Sequence, residues 1–184
     1  MFCLNQMQDV LKEEALQFID KLNLISILSE FGEVKLVGSV ALDLIVKPDI
    51  DIHVLVDQSY DLLSTNNKIM WTLLDNDSIK EIRISDYRKY GGIKIGIDQL
   101  PGPSEKWDFD IWLTHDPKTL GWDDVENFRD KLTSQKRNII LEIKKHYYKR
   151  KQLRDGISKR IYKAVLDNGI KTVKEFENHE KKKV

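Results

Sequence analysis

Aspartates stand one residue apart at two places in the chain: Asp49 and Asp51 in "DIDIHVLV", and Asp108 and Asp110 in "KWDFDIWL". In an extended strand, residues i and i+2 face the same side, about 6.6–6.8 Å apart along the chain, so each pair puts two carboxylates on one face. Ile50, Ile52, Val54, Leu55 and Val56 flank the first pair. Carboxylates in such company are costly unless cations or hydrogen-bond donors meet them. If the two strands lie side by side with matching faces, three or four carboxylates converge on one patch, which divalent cations would make tolerable. Two ions about 3.5–4 Å apart stabilise both the entering and the leaving oxygen of an in-line phosphoryl or nucleotidyl displacement. An all-oxygen ligand set points to Mg²⁺ or Mn²⁺ and away from zinc. His53, His115, His146 and His179 have no zinc-ligand spacing. The competing reading is a strand end carrying solvated acids, and the apolar flanks weigh against it.

The elements that would position these acids are legible in outline. "EVKLVG" reads as a short strand ending at Gly38, and "VALDLIV" as a helical turn or short helix. Lys47-Pro48 leads into "DIDIHVLV", whose alternation followed by a continuous apolar run suits a central strand. "KEIRISDY" and "IKIGIDQL" alternate as strands with "YRKYGG" as the turn between them, and "PGPSE" is a loop before "KWDFDIWL". Leu4 to about Glu30 carries one apolar helical face broken near Asn23, and "SYDLLSTNNKIMWTLLDN" reads as a helix with a polar interruption. From Trp122 onward the pattern is helical, with Gly156 and Gly169 as breaks or C-caps and "HEKKKV" as a frayed tail. Strands followed by helices give an α+β fold, divided as a core over residues 1–121 and C-terminal helices over 122–184 packed on it.

Bulk properties narrow the class. The 184 residues, 41% of them apolar, suit one ordinary domain with a core. Net charge is zero, but unevenly spread: from Arg129 on, 18 Lys and Arg stand against 7 Asp and Glu. Of the 30 of each in the whole chain, 12 and 23 therefore precede it. An acidic front and a basic back suit a site that holds both metal cations and a polyanion; solvated helix faces explain the basic half equally well. A single cysteine, Cys3, rules out an internal disulfide and suits a reducing cytoplasm. No signal peptide and no membrane-length apolar run is present, so a cytoplasmic location without membrane partners is expected.

The combination of Gly38-Ser39, then Asp49-Ile50-Asp51, then "FDIWL" with Asp110 resembles the signature of the DNA polymerase β-like nucleotidyltransferase superfamily. Within it, "GSVALDLIVKPDIDI" and the later "ENFRDKL" and helical tail are similar to the GrpB-like branch. GrpB proteins usually carry an apolar residue where Asp49 stands, and this chain keeps the carboxylate. The resemblance implies a small mixed β-sheet of the nucleotidyltransferase type flanked by helices, with a C-terminal helical segment. It also implies transfer of an NMP from an NTP to a hydroxyl, with two Mg²⁺ or Mn²⁺ ions. Asp49 and Asp51 would hold the metals, and Asp110 would hold the catalytic metal and accept the acceptor proton, with Asp108 the alternative third acid. Gly38 and Ser39 would meet phosphates, and Lys47 either reaches a phosphate or caps locally. The expected partners are a nucleoside triphosphate and a small-molecule acceptor, with protein or RNA as further acceptor classes. The alternative is a non-catalytic nucleotide- or cofactor-binding GrpB-like protein on the same fold.

The remaining candidates have plainer readings. His53 shares the aspartate face and reads as a satisfied structural histidine, and His115 as a turn residue. Trp107, Trp112 and Trp122 read as core. "KKHYYKRKQLR" reads as an amphipathic helix with its tyrosines inward, from which Lys145, Lys149 or Arg150 could line a triphosphate groove.

Overall fold

The computed structural model describes residues 4–154 and 156–182. Cys3 and the last two residues of the charged tail lie outside them. Five strands, β1 (Gly32–Val37), β2 (Asp49–Val56), β3 (Arg83–Tyr87), β4 (Gly92–Pro101) and β5 (Lys106–Thr114), form one sheet in the order β1-β2-β5-β4-β3. Only β2 and β5 run parallel; the other neighbours are antiparallel. The fold is therefore a mixed sheet flanked by helices, as expected.

Strand β2 shows how sequence alternation becomes two layers. Ile50, Ile52, Val54 and Val56 are buried, while Asp49, Asp51, His53 and Leu55 are only half-buried. Strand β5 repeats this, with Trp107, Phe109, Ile111 and Leu113 inward. The two apolar faces join α1 (Leu4–Lys21), α2 (Leu24–Ser29) and α4 (Leu62–Leu74) in one core that contains Phe18, Leu28, Ile69 and Leu73. Burying such side chains contributes about 1.5–3 kcal/mol each before entropy is counted. Trp107 enters this core because Glu14 of α1 accepts from its indole nitrogen at 3.2 Å, so no polar atom is stranded.

The other face of the sheet is the polar one. Beside it α3 (Gly38–Ala41) and the segment after it meet α5 (Trp122–Lys131), α6 (Ser134–Lys149), α7 (Ile157–Asn168) and α8 (Val173–Lys181). They share a second core of Val37, Leu42, Leu44, Val46, Phe128, Ile140, Leu141, Ile161 and Phe176. Apolar residues before Asp49 and after Trp122 thus interlock.

Some boundaries differ from the sequence expectations. The first helix does break at Asn23, which adopts a left-handed backbone (φ 51°). Strand β3 starts at Arg83, not Lys80, and "VALDLIV" is helical only through Ala41. Helix α4 runs without interruption, because Asp61 caps it by accepting from the Ser64 N–H at 2.9 Å and the polar Thr65 and Asn66 are packed inside. Helix α8 continues through Lys181, further than the charged tail suggested. Gly156 and Gly169 bracket α7 as its N- and C-caps.

Candidate functional site

Register builds the site. Across the parallel pair, Asp49 lies opposite Asp108 and Asp51 opposite Asp110, so all four carboxylates lie on one face of two adjacent strands. On the other side of β2, Val37 of β1 is opposite Asp51, and the chain turns sharply at Gly38. That turn needs glycine twice over. Its φ is 63°, and a Cβ there would stand 2.2 Å from the Asp51 Oδ2. The Gly38-Ser39 turn is therefore laid directly on the Asp51 carboxylate.

Gly38, Ser39, Asp49, Asp51 and His53 form one wall of an open cleft of about 480 Å³. The opposite wall comes from the segment before α5 and from α7, including Lys118, Gly121, Ser158, Lys159 and Tyr162. His53 is used structurally: its Nδ1 accepts from the Gly121 N–H at 3.0 Å, and burial lowers its pKa to about 4, so it is neutral and pins the opposite wall to the sheet. The His115 Nε2 donates to the Tyr60 carbonyl at 3.0 Å, beyond the end of β5. Asp110 is on the next strand and does not line the cleft.

Three lysines face the four acids. Lys47 Nζ bridges Asp49 Oδ2 at 3.2 Å and Asp108 Oδ2 at 3.4 Å. Lys94 Nζ meets Asp110 Oδ2 at 2.9 Å. Lys144, only 1% exposed, donates to the Leu44 carbonyl at 2.6 Å and the Tyr162 hydroxyl at 2.8 Å. Burial pulls its pKa down to about 7, against the attraction of Asp51 and Asp49. Burial also drives the Tyr162 hydroxyl upward, so it stays protonated.

The acids are not equivalent. Burial pushes Asp51 up to about 7, and the negative charges of Asp49 and Asp110 push the same way, with no hydrogen bond among the leading influences. Asp49 is also raised, by burial first, with Lys47 opposing. Asp108 is different. Burial would raise it, but the Gln99 backbone N–H (3.0 Å), the Gln99 side chain (3.1 Å) and Lys47 together hold it below the ordinary value. A register irregularity between Ile97 and Leu100, with Gln99 at φ 59°, aims that N–H at Asp108. Asp108 is thus engaged by the bulge, whereas Asp110 is paired with Lys94.

With Lys47 and Lys94 holding Asp49 and Asp110, no three His, Cys, Asp or Glu side chains among the described residues are gathered closely enough to grip an ion as they stand. The donor set nevertheless fits a hard divalent cation. It is all oxygen, its carboxylates are in register on adjacent strands, and among the described residues no hydrogen-bond donor meets the half-buried Asp51 carboxylate. Lys145, Lys149 and Arg150 do not line the cleft; Lys144 is the cation that α6 sends towards Asp51. Lys144 sits among Ile140, Leu141, Tyr147 and Tyr148 at helical spacing, so a lysine inside an apolar stripe was the available signal. Lys47 lines a separate cavity of about 370 Å³ with Gln99, Asp108 and Tyr148.

Among family models none matches the chain, and no curated protein matches it. Solved structures do. The chain is similar to Cid1 poly(U) polymerase with MgGTP bound, at a TM-score of 0.65 and 20% identity, over 86% of this chain and 50% of that one. A cytoplasmic RNA terminal U-transferase matches at 0.55 and 21%, over 77% and 42%. The GLD-2/RNP-8 complex matches at 0.59 and 16%, over 85% and 50%. The chain spans half or less of the length of these structures. They establish the nucleotidyltransferase-type fold, and none of the three is a GrpB protein.

Proposed function

We propose that the chain is a metal-dependent nucleotidyltransferase that moves an NMP from an NTP to an acceptor hydroxyl. The observation that carries this reading is the placement of Asp49, Asp51 and Asp110 in register on two parallel strands, with the Gly38-Ser39 turn laid on Asp51 and a cleft opening in front of it. Similarity in fold to a poly(U) polymerase and an RNA terminal U-transferase supports it.

In this reading Asp49, Asp51 and Asp110 hold two divalent ions, Mg²⁺ or Mn²⁺, whose charge would offset that developing on the transferred phosphate and on the leaving oxygen. The chain's own residues do the rest. Gly38 lets the backbone approach the triphosphate, and Ser39 offers a hydroxyl to it. Lys118 and Lys159 bring positive charge to the opposite wall, where Lys159 is paired with Asp124. Lys47 holds Asp49 in place from the adjoining cavity. Asp110, on the adjacent strand, accepts the proton of the acceptor hydroxyl. The acceptor oxygen forms a new bond to the α-phosphorus, the bond from that phosphorus to the bridging oxygen breaks, and pyrophosphate leaves with the electron pair. A cytoplasmic setting, where nucleoside triphosphates are abundant, belongs to the same reading. The narrower GrpB assignment rests on the sequence signature alone.

Pyrophosphate release from each of the four NTPs with Mg²⁺ or Mn²⁺, over a panel of small-molecule, protein and RNA acceptors, tests the proposal. Release that disappears in Asp51→Asn supports it. Release unaffected by Asp51→Asn, or none with any NTP, overturns it.

A further inference from the structure

The polar face of the sheet has two unlike halves. Over β1 and β2 it is roofed by α3, α5 and α7 and forms the cleft. Over β4 and β3 it is open, and four of the five residues of β3 are exposed. Asp110 lies on the border between the halves. Reading across the register from it, Gly96 and then Arg83 share its row, Trp112, Lys94 and Ser85 form the next row, and Thr114, Gly92 and Tyr87 the one after.

Two glycines shape this open half. The Trp112 indole lies across Gly92, where a Cβ would come within 2.5 Å of its ring. The Arg83 guanidinium lies across Gly96, where a Cβ would be 3.0 Å from its nitrogen. Both planar groups therefore pack closely over these glycines. Thr119 fixes the indole by accepting from its nitrogen at 3.3 Å, and Tyr87 packs against it with ring centroids 6.1 Å apart. Arg83 is held in place by two 3.0 Å hydrogen bonds to Asp98. Tyr90, just past the strand, is 77% exposed. Between Lys80 and Lys94 the chain carries Lys80, Arg83, Arg88, Lys89 and Lys94 against Glu81 and Asp86.

We propose that this open half is the acceptor platform and that the acceptor is the end of a single-stranded polynucleotide, its terminal base stacked on Tyr87 and Trp112 and its phosphates met by Arg83 and Lys94. The inference rests on the transferase reading above and names its acceptor class. Flat aromatic groups beside cations are what a single strand uses, since every base has a π-face and every link a charge.

The test measures two affinities on each protein: fluorescein-labelled single-stranded 15-mers of RNA and of DNA by anisotropy over a salt series, and Mn²⁺-NTP by calorimetry. Wild type should bind at least one of the oligonucleotides in a salt-dependent way. Tyr87→Ala should weaken that binding roughly 5- to 150-fold, the range for one lost base stack. Arg83→Gln should reduce the log–log salt slope by about 0.7, one phosphate contact on a single strand. Both variants should keep the wild-type affinity for Mn²⁺-NTP, which a merely structural defect would not. Oligonucleotide binding that is absent in the wild type or indifferent to both substitutions, with Mn²⁺-NTP binding intact, overturns the platform and leaves the transferase reading standing. Oligonucleotide binding without any Mn²⁺-NTP binding overturns the transferase reading, and the acceptor assignment with it.

Discussion

The two faces of β2 are made by one octapeptide and do opposite work. Ile50, Ile52, Val54 and Val56 vanish into a core that extends through α1, α2 and α4. Asp49 and Asp51, one residue out of phase, are held half-buried on the other side, where burial and mutual repulsion raise both carboxylates. The inward face lowers the free energy of the fold. The outward face raises it, and in the proposed reading a bound cation would offset that cost.

Single substitutions on each face should separate these roles. The largest effect is expected inward: Ile52→Ala should lower unfolding stability by about 2–5 kcal/mol in urea, through lost burial and the cavity left behind. Outward, Asp51→Asn should cost on the order of 10²–10³-fold or more in nucleotidyl transfer, the scale of a lost transition-state electrostatic contact, while urea stability holds or rises. An Asp51→Asn protein that unfolds as readily as Ile52→Ala would erase the distinction. Gly38→Ala tests the border between the faces. Its positive φ would cost about 1–3 kcal/mol, and the added methyl would drive the Asp51 carboxylate out of place, so stability and metal-dependent nucleotide binding should fall together.

The smallest effect is a pH dependence, and its sign differs between neighbours on the same face. Asp51 titrates near 7 in the fold against 3.8 ordinarily, so the folded state holds an extra proton between those values and stability falls as pH rises through that window. His53 titrates near 4 against 6.5, so the unfolded state holds the extra proton and stability rises with pH between 4 and 6.5. The two oppose each other in the wild type. Asp51→Asn should leave the His53 slope exposed, seen as melting temperature rising from pH 4 to 6.5. Because Asp51 must lose its proton to take a cation, Mn²⁺ affinity should rise about tenfold per unit as pH climbs towards 7, then flatten. Mn²⁺ affinity that is flat from pH 5.5 to 7 would contradict the assignment of Asp51.

How much of this was legible in the sequence follows from what is local. The alternation in "DIDIHVLV" and "KWDFDIWL" reveals each strand and the side its acids take, because side-chain period is a property of the strand itself. That β5, not its sequence neighbour β3, lies beside β2 is a long-range pairing that the shared pattern of acids hinted at and only the register established. Asp108 and Asp110 look alike in sequence; the bulge at Gln99, which turns one backbone N–H towards Asp108, separates them. Lys144 was hidden for a related reason. It comes from α6, far along the chain, and its neighbours Lys145, Lys149 and Arg150 carry the same charge; the apolar stripe around Lys144 marks it as buried, but only packing shows that it faces Asp51.

The most direct test of the central claim is calorimetric titration of each NTP into wild type, Asp49→Asn and Asp51→Asn, with Mn²⁺ and again with a chelator. The account predicts that wild type binds at least one NTP only when the metal is present and that both substitutions abolish the heat. Binding that survives the chelator or both substitutions would contradict it, as would wild-type protein that binds no NTP with metal present.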